Sequence, residues 1–196
     1  TVIIIPARYK SSRFPGKPLT PILGKPMILW VAELCAEALT AKCVYIATED
    51  FQIKEIVEKA GFNVVMTSSK ALTGTDRIAE AATKIEADIY INVQGDEPLL
   101  NPADILTIIE TKKMHPNEVI NGYSKIGDNE DPESVNIPKV IFNESQQMVY
   151  ISRNLLPGTK TKEFKPPNYY KQVCIYAFSK KELNDYAEFG RKGTLE

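Results

Sequence analysis

The sequence predicts an α/β fold of the Rossmann-like kind: a mostly parallel sheet flanked by helices, with a β-rich C-terminal extension. Three observations predict it. Short apolar runs alternate with helix-period segments over the first 115 residues. The runs are continuous, as in strands buried on both faces. After residue 115 the helical period gives way to short β-like runs between turn-rich stretches.

The elements follow in order. Residues 2–5 form an apolar strand that stops at Pro6. Residues 26–39 place Ile28, Val31, Leu34, Cys35 and Ala38 on one helical face. Residues 43–47 are a second strand. Glu49 and Asp50 open a helix over 51–60 that Gly61 ends. Residues 63–66 are a third strand, and 75–85 a helix with Ile78, Ala81, Ala82 and Ile85 apolar. Residues 88–93 are a fourth strand, and 102–113 a helix with Ile105, Ile108 and Ile109 inward. Beyond these, 119–124, 139–142, 148–152 and 173–178 are β-like, and the lysine-rich run 160–165 reads as a solvated loop. The expectation is a single domain, 1–196, with a parallel half over 1–115 and a β-rich part over 116–196.

Composition narrows the class. The 196 residues are 43% hydrophobic and 25% charged, ordinary for a globular chain. A net charge of −1 argues against nucleic acid or an anionic membrane as partner. No segment approaches the roughly 20 apolar residues of a membrane span. The apolar start is too short for a signal-peptide core and has no basic region before it. Cys35, Cys43 and Cys174 are scattered and form no CxxC pair, which fits a reducing cytoplasm and argues against zinc. His115, beside Pro116, has no cluster of ligating residues around it and reads as structural or surface.

Four stretches carry chemistry. After Pro6 comes a basic loop, residues 8–17, with Arg8, Lys10, Arg13 and Lys17 but no acid, and with Ser11, Ser12 and Gly16 among them. Arginines grip phosphate oxygens bidentately and lysine adds a mobile charge, so a polyphosphate is one expected ligand; a solvated basic loop is the other reading. Residues 92–98, NVQGDEP, follow a buried strand, and Gly95 permits a turn that exposes Asp96. A carboxylate at a strand end facing a phosphate loop suits Mg2+. Alternatively, Asp96 and Glu97 cap the helix that begins near Pro102. Residues 72–77, LTGTDR, bring hydroxyls and a close backbone approach, or a helix cap at Thr75 or Asp76. Arg77 in that first turn calls for a counter-anion, Asp96 or Asp76. Residues 150–153, YISR, end a β-like run on Arg153, either a carboxylate clamp or a surface arginine.

With these stretches in hand, and with the late QVCIYAF, the chain resembles the 3-deoxy-manno-octulosonate cytidylyltransferases, collinearly over nearly its whole length. The resemblance implies a nucleotidyltransferase fold, a cytoplasmic homodimer and Mg2+. The implied partners are CTP and a 3-deoxy-2-ulosonic acid, which give the CMP-sugar and pyrophosphate. It implies that Arg8, Ser11, Arg13 and Lys17 hold the CTP phosphates, with Arg8, Lys17 and Asp96 catalytic and Asp96 the metal ligand. Thr73, Gly74, Thr75 and Gln94 would lie at the nucleotide, and Arg77, Gln94, Arg153, Gln172, Tyr176 and Glu196 at the sugar. Nucleotide binding would fall to 1–115, and sugar binding and dimerisation to 116–196.

Two departures stand out. Gln172 takes the place of an expected histidine, and Cys174 that of a glycine, which points toward a related or amino-substituted ulosonic acid. The family pattern also continues past Glu196 with a second metal-binding aspartate, and the chain starts without Met, so a trimmed sequence is expected.

Overall fold

Six residues, Val2–Ala7, form the strand β1 around which the first sheet is built. The structure, a computed structural model, describes residues 1–10, 14–158 and 168–189. After β1 come a small hairpin, β2 (Pro21–Ile22) and β3 (Lys25–Pro26), and then α1 (Met27–Ala38). β4 (Val44–Thr48), α2 (Phe51–Lys59), β5 (Asn63–Met66), α3 (Gly74–Ala82), β6 (Ile89–Val93) and α4 (Pro102–Met114) follow. The rest is β7 (Ile120–Lys125), β8 (Lys139–Phe142), β9 (Met148–Ser152), β10 (Tyr170–Ser179) and α5 (Lys180–Glu188). Contacts divide the chain into two compact units: Thr1–Ile120 with the residues from Ile175 on, and Asn121–Cys174.

In the first unit the strand order is β5–β4–β1–β6, all parallel, and then Ile175–Ser179 of β10 antiparallel to β6. Alternation along β1 explains the two layers of helices. Val2 and Ile4 face a core with Ile78, Ala81 and Ala82 of α3, Leu183 of α5, Tyr90 and Phe178. Ile3 and Ile5 face the other side and are fully buried, as is Ile28 of α1. Pro6 lacks the N–H that a ladder needs. The pairing of β1 with β6 stops at Ile4, while its pairing with β4 continues to Ala7. The ends of β1 and β6 are therefore left unzipped.

The helix starts obey local chemistry. Asp50 caps α2, its Oδ1 accepting from the N–H of Gln52 at 2.9 Å and of Ile53 at 3.0 Å. Ser179 and Glu182 form a capping box at α5. No described helix is long and apolar enough to cross a membrane.

The second unit is antiparallel. β8 pairs with β9 from Lys139↔Ser152, with an irregularity between Ile141 and Phe142, and with β10 at Lys171↔Lys139. Tyr123, Phe142 and Tyr170 pack ring against ring, with centroids 4.8–5.6 Å apart. The division differs from the boundary expected at residue 115. Residues from Ile175 on belong with the first unit because Ile175–Ser179 pair with β6 and Leu183 is buried in the α3 core. The β2–β3 hairpin and α5 are additions to the elements expected from sequence.

Candidate active site

In open α/β sheets ligands bind outside the carboxyl ends of the strands, where the strand order reverses. Here that point lies between β1 and β6, the pair that Pro6 leaves unzipped. A cleft of about 270 Å³ opens there, lined among others by Arg8, Lys17, Thr73, Gly74, Arg77, Gln94 and Asp96.

Two glycines shape it. Gly16 has φ +72°, its N–H donates to Tyr9 O at 2.8 Å, and an added Cβ would lie 3.3 Å from the Tyr9 ring. This closes the basic loop and returns Lys17 to the cleft. A Cβ on Gly95 would meet Ile28 Cδ1 at 3.1 Å and Pro6 O at 3.2 Å. Only a glycine lets the chain after β6 lie this close to β1 without displacing its neighbours. The next residue, Asp96, is exposed, and its Oδ2 pairs with Lys17 Nζ. Asp96 does not cap α4. That cap is Asn101, whose Oδ1 accepts from the Ala103 N–H at 3.0 Å. The carboxylate is thus left for the cleft.

The start of α3 forms another wall. Its N-cap is Thr73, in place of the expected Thr75 or Asp76. Thr73 Oγ1 accepts from the Asp76 N–H at 3.1 Å, and Asp76 Oδ2 accepts from the Thr73 N–H at 2.8 Å. This capping box points the positive end of the helix dipole, with Gly74, at the cleft.

Arg77 finds a different counter-anion from the two expected. Its Nη2 lies 2.7 Å from Glu49 Oε2, with both side chains largely buried. The approach is electrostatic and not aligned as a hydrogen bond, since Glu49 Oε2 has no hydrogen-bond partner among the described residues. Arg77 Nη1 donates to Thr67 Oγ1. Burial pulls the Arg77 guanidinium down, opposed by the charges of Glu49 and Glu80. Sequence reasoning missed Glu49 because its neighbour Asp50 explains the helix start alone. The only signal was two adjacent acids where one suffices.

The other expected residues lie elsewhere. Thr75 is in the first turn of α3 but is not among the residues lining the cleft. Tyr176 sits opposite Asn92 in register, stacks on Phe178 at 6.0 Å and packs against the α3–α5 core. In the second unit, Arg153 follows β9, is exposed, and donates from Nη1 to Val135 O at 2.9 Å. Gln172 Nε2 donates to Asn121 Oδ1 at 3.3 Å. Ser11, Arg13 and Glu196 lie outside the described residues.

Asp96 is the one carboxylate among the residues lining the cleft. Among the described residues no group of three or more His, Cys, Asp or Glu is placed to hold a metal. One carboxylate beside the Gln94 amide fits Mg2+, which keeps several waters and takes substrate phosphates as ligands.

Cations, a helix N-terminus and a single carboxylate gather at the switch point of a parallel sheet. A family model described as cytidylyltransferase matches residues 2–190, and the chain belongs to that family. Among its relatives are two proteins named 8-amino-3,8-dideoxy-manno-octulosonate cytidylyltransferase. The one from Shewanella amazonensis is 40% identical over 99% of this chain and 81% of its own length. The one from Shewanella piezotolerans is 41% identical with the same coverage. A solved CMP:2-keto-3-deoxy-manno-octonic acid synthetase, complexed with CTP, superposes with a TM-score of 0.88 at 38% identity, covering 97% of this chain and 78% of its own. A cytidylyltransferase from Leptospira borgpetersenii, at 18% identity and TM-score 0.63, shares the fold.

Proposed function

We propose that the protein transfers CMP from CTP to the anomeric hydroxyl of a 3-deoxy-2-ulosonic acid and releases pyrophosphate. The observation that carries this reading is the cleft between the ends of β1 and β6, where Arg8, Lys17, Gln94 and Asp96 converge. The sugar hydroxyl oxygen attacks the α-phosphorus, the bond from that phosphorus to the pyrophosphate oxygen breaks, and the hydroxyl proton passes to solvent. Catalysis of this kind is positioning plus electrostatic stabilisation.

Arg8 and Lys17 neutralise the triphosphate, and the N-terminus of α3 adds N–H donors and a favourable dipole. Lys17 pairs with Asp96 at the cleft. Such an exposed pair is worth about 0–1 kcal/mol, so an arriving phosphate displaces it at little cost. Asp96 would hold Mg2+, with Gln94 beside it. When bound, the metal polarises phosphate oxygens and offsets the charge that grows on them. Arg77 is already paired with Glu49, so it braces the wall of the cleft. Arg153 would grip the carboxylate of the ulosonic acid with the N–H donors that Val135 O leaves over.

The sugar is a manno-octulosonic acid or its 8-amino form, as the relatives' names support. Gln172 is the residue that would read this difference, because a neutral amide donates and accepts hydrogen bonds without carrying a proton. The enzyme would act in the cytoplasm as a homodimer. The support for pairing is β9, which exposes Met148, Val149 and Tyr150.

The test is pyrophosphate release with CTP and Mg2+ and each sugar acid in turn, together with light scattering for the dimer. Release with either acid is expected, with CTP preferred over UTP and GTP. Absence of release with both acids, or a preference for another nucleotide, sinks the assignment.

A further inference from the structure

The strand β8 opens on a lysine that solvent does not reach. Lys139 is 0% exposed. Burial lowers its pKa, with the charge of Asp131 opposing that shift and the charge of Arg153 adding to it. Among the described residues no carboxylate lies within ion-pairing distance of its ammonium. Nζ donates instead to two main-chain carbonyls, Ser134 O at 2.8 Å and Arg153 O at 2.6 Å. A buried cation without an ion-pair partner is costly, and methionine fills a similar volume at no such cost. The charge therefore has to be explained by what its hydrogen bonds hold.

They hold one arginine from both ends. Lys139 stands opposite Ser152 in register, so its side chain reaches the main chain just beyond the end of β9 and fixes the Arg153 carbonyl. Its other bond fixes the turn before β8 at Ser134. The next residue in that turn, Val135, supplies the carbonyl that accepts from Arg153 Nη1 at 2.9 Å. The turn is braced further by the Ser134 N–H on Asp131 O at 3.0 Å and the Ile137 N–H on Ser134 O at 3.2 Å. One ammonium thus sets both the backbone from which Arg153 projects and the acceptor against which its guanidinium rests. The exposed guanidinium keeps N–H donors beyond the one that Val135 O accepts.

We propose that Lys139 is a positioning residue that presents the Arg153 guanidinium to the carboxylate of the sugar acid. The proposal rests on the reading of Arg153 given above. A bidentate grip tolerates little error in angle, so a loosened arginine binds the acid less well while the nucleotide cleft is unaffected.

The test compares wild type, Lys139→Met, Arg153→Ala and the double variant in steady-state kinetics with each substrate varied in turn. Lys139→Met is expected to raise KM for the ulosonic acid about tenfold or more and to leave KM for CTP within about twofold. In the Arg153→Ala background the same change is expected to add nothing, because Lys139 acts only through Arg153. Additive losses, or an equal rise in both KM values, overturn the proposal while leaving the role of Arg153 intact. If Arg153→Ala itself leaves the ulosonic acid KM unchanged, the underlying reading of Arg153 falls first. Lys139→Gln, which keeps an N–H donor without the charge, carries the same comparison where the methionine variant does not fold.

Discussion

Asp96 and Lys17 stand 79 residues apart in sequence and touch in the folded chain. Each was visible as a candidate, because a basic loop without acids and an acid after a glycine turn are both unusual at strand ends. Their meeting follows from the parallel topology. The pairing of Arg77 was not visible, because the choice between Glu49 and Asp50 as the inward acid depends on packing below the cleft. The exposure of Asp96, with a side chain 43% accessible, lets its proposed chemical role be tested apart from any structural one. Asp96→Asn keeps the shape and removes the charge. Turnover is expected to fall at least about a hundredfold, as when one preorganised electrostatic group is lost. The melting temperature should stay within about 4 °C, since an exposed pair contributes at most about 1 kcal/mol. Pyrophosphate release and a thermal melt on the same sample check both halves. Near-wild-type turnover removes Asp96 from the reaction.

At the scale of elements, α3 is expected to tie stability to binding. Its capping box was not read from the sequence: the run Thr73–Asp76 carries the spacing, but residue type alone pointed to Thr75 or Asp76 as the cap. The folded helix selects Thr73 because Asp76, three residues on, returns a bond to the Thr73 N–H. Thr73 Oγ1 also lies 3.1 Å from the Tyr186 hydroxyl, joining α3 to α5. Thr73→Ala should cost about 1 kcal/mol in a denaturant titration, the usual loss for an N-cap. Because the capped end lines the cleft, the same change should weaken CTP binding several-fold by calorimetry, and Thr73→Ser should restore most of both. A variant that loses stability but binds CTP as wild type does would show that the start of α3 plays no part in holding the nucleotide.

For the whole molecule, the parallel half was readable because each buried strand is a continuous apolar run and each helix has an apolar stripe. Helix α5 was not, since Leu183 is its only buried residue and the stripe is too thin to register. The allegiance of the last strand was equally hidden. Val173–Phe178 looks β-like, but nothing local says that Ile175–Ser179 pair with β6 while Lys171, at the start of the same strand, pairs with β8. That pairing decides which unit each proposed site residue belongs to. Every residue lining the proposed CTP cleft belongs to the first unit. Lys139, Arg153 and Gln172 belong to the second. Hydrogen exchange can read the two separately, because a ligand slows exchange where it suppresses local opening. CTP with Mg2+ is expected to protect 6–10, 14–18, 71–77 and 94–96 and to leave 134–153 at its ligand-free rate. Adding the sugar acid should then slow exchange at 134–136 and 152–154, the segments that Lys139 and Arg153 tie together. In Lys139→Met this second protection should shrink while the first stays whole. Protection of 134–153 by CTP alone would mean that the nucleotide orders both units, and that the separation of the two substrates between them is wrong.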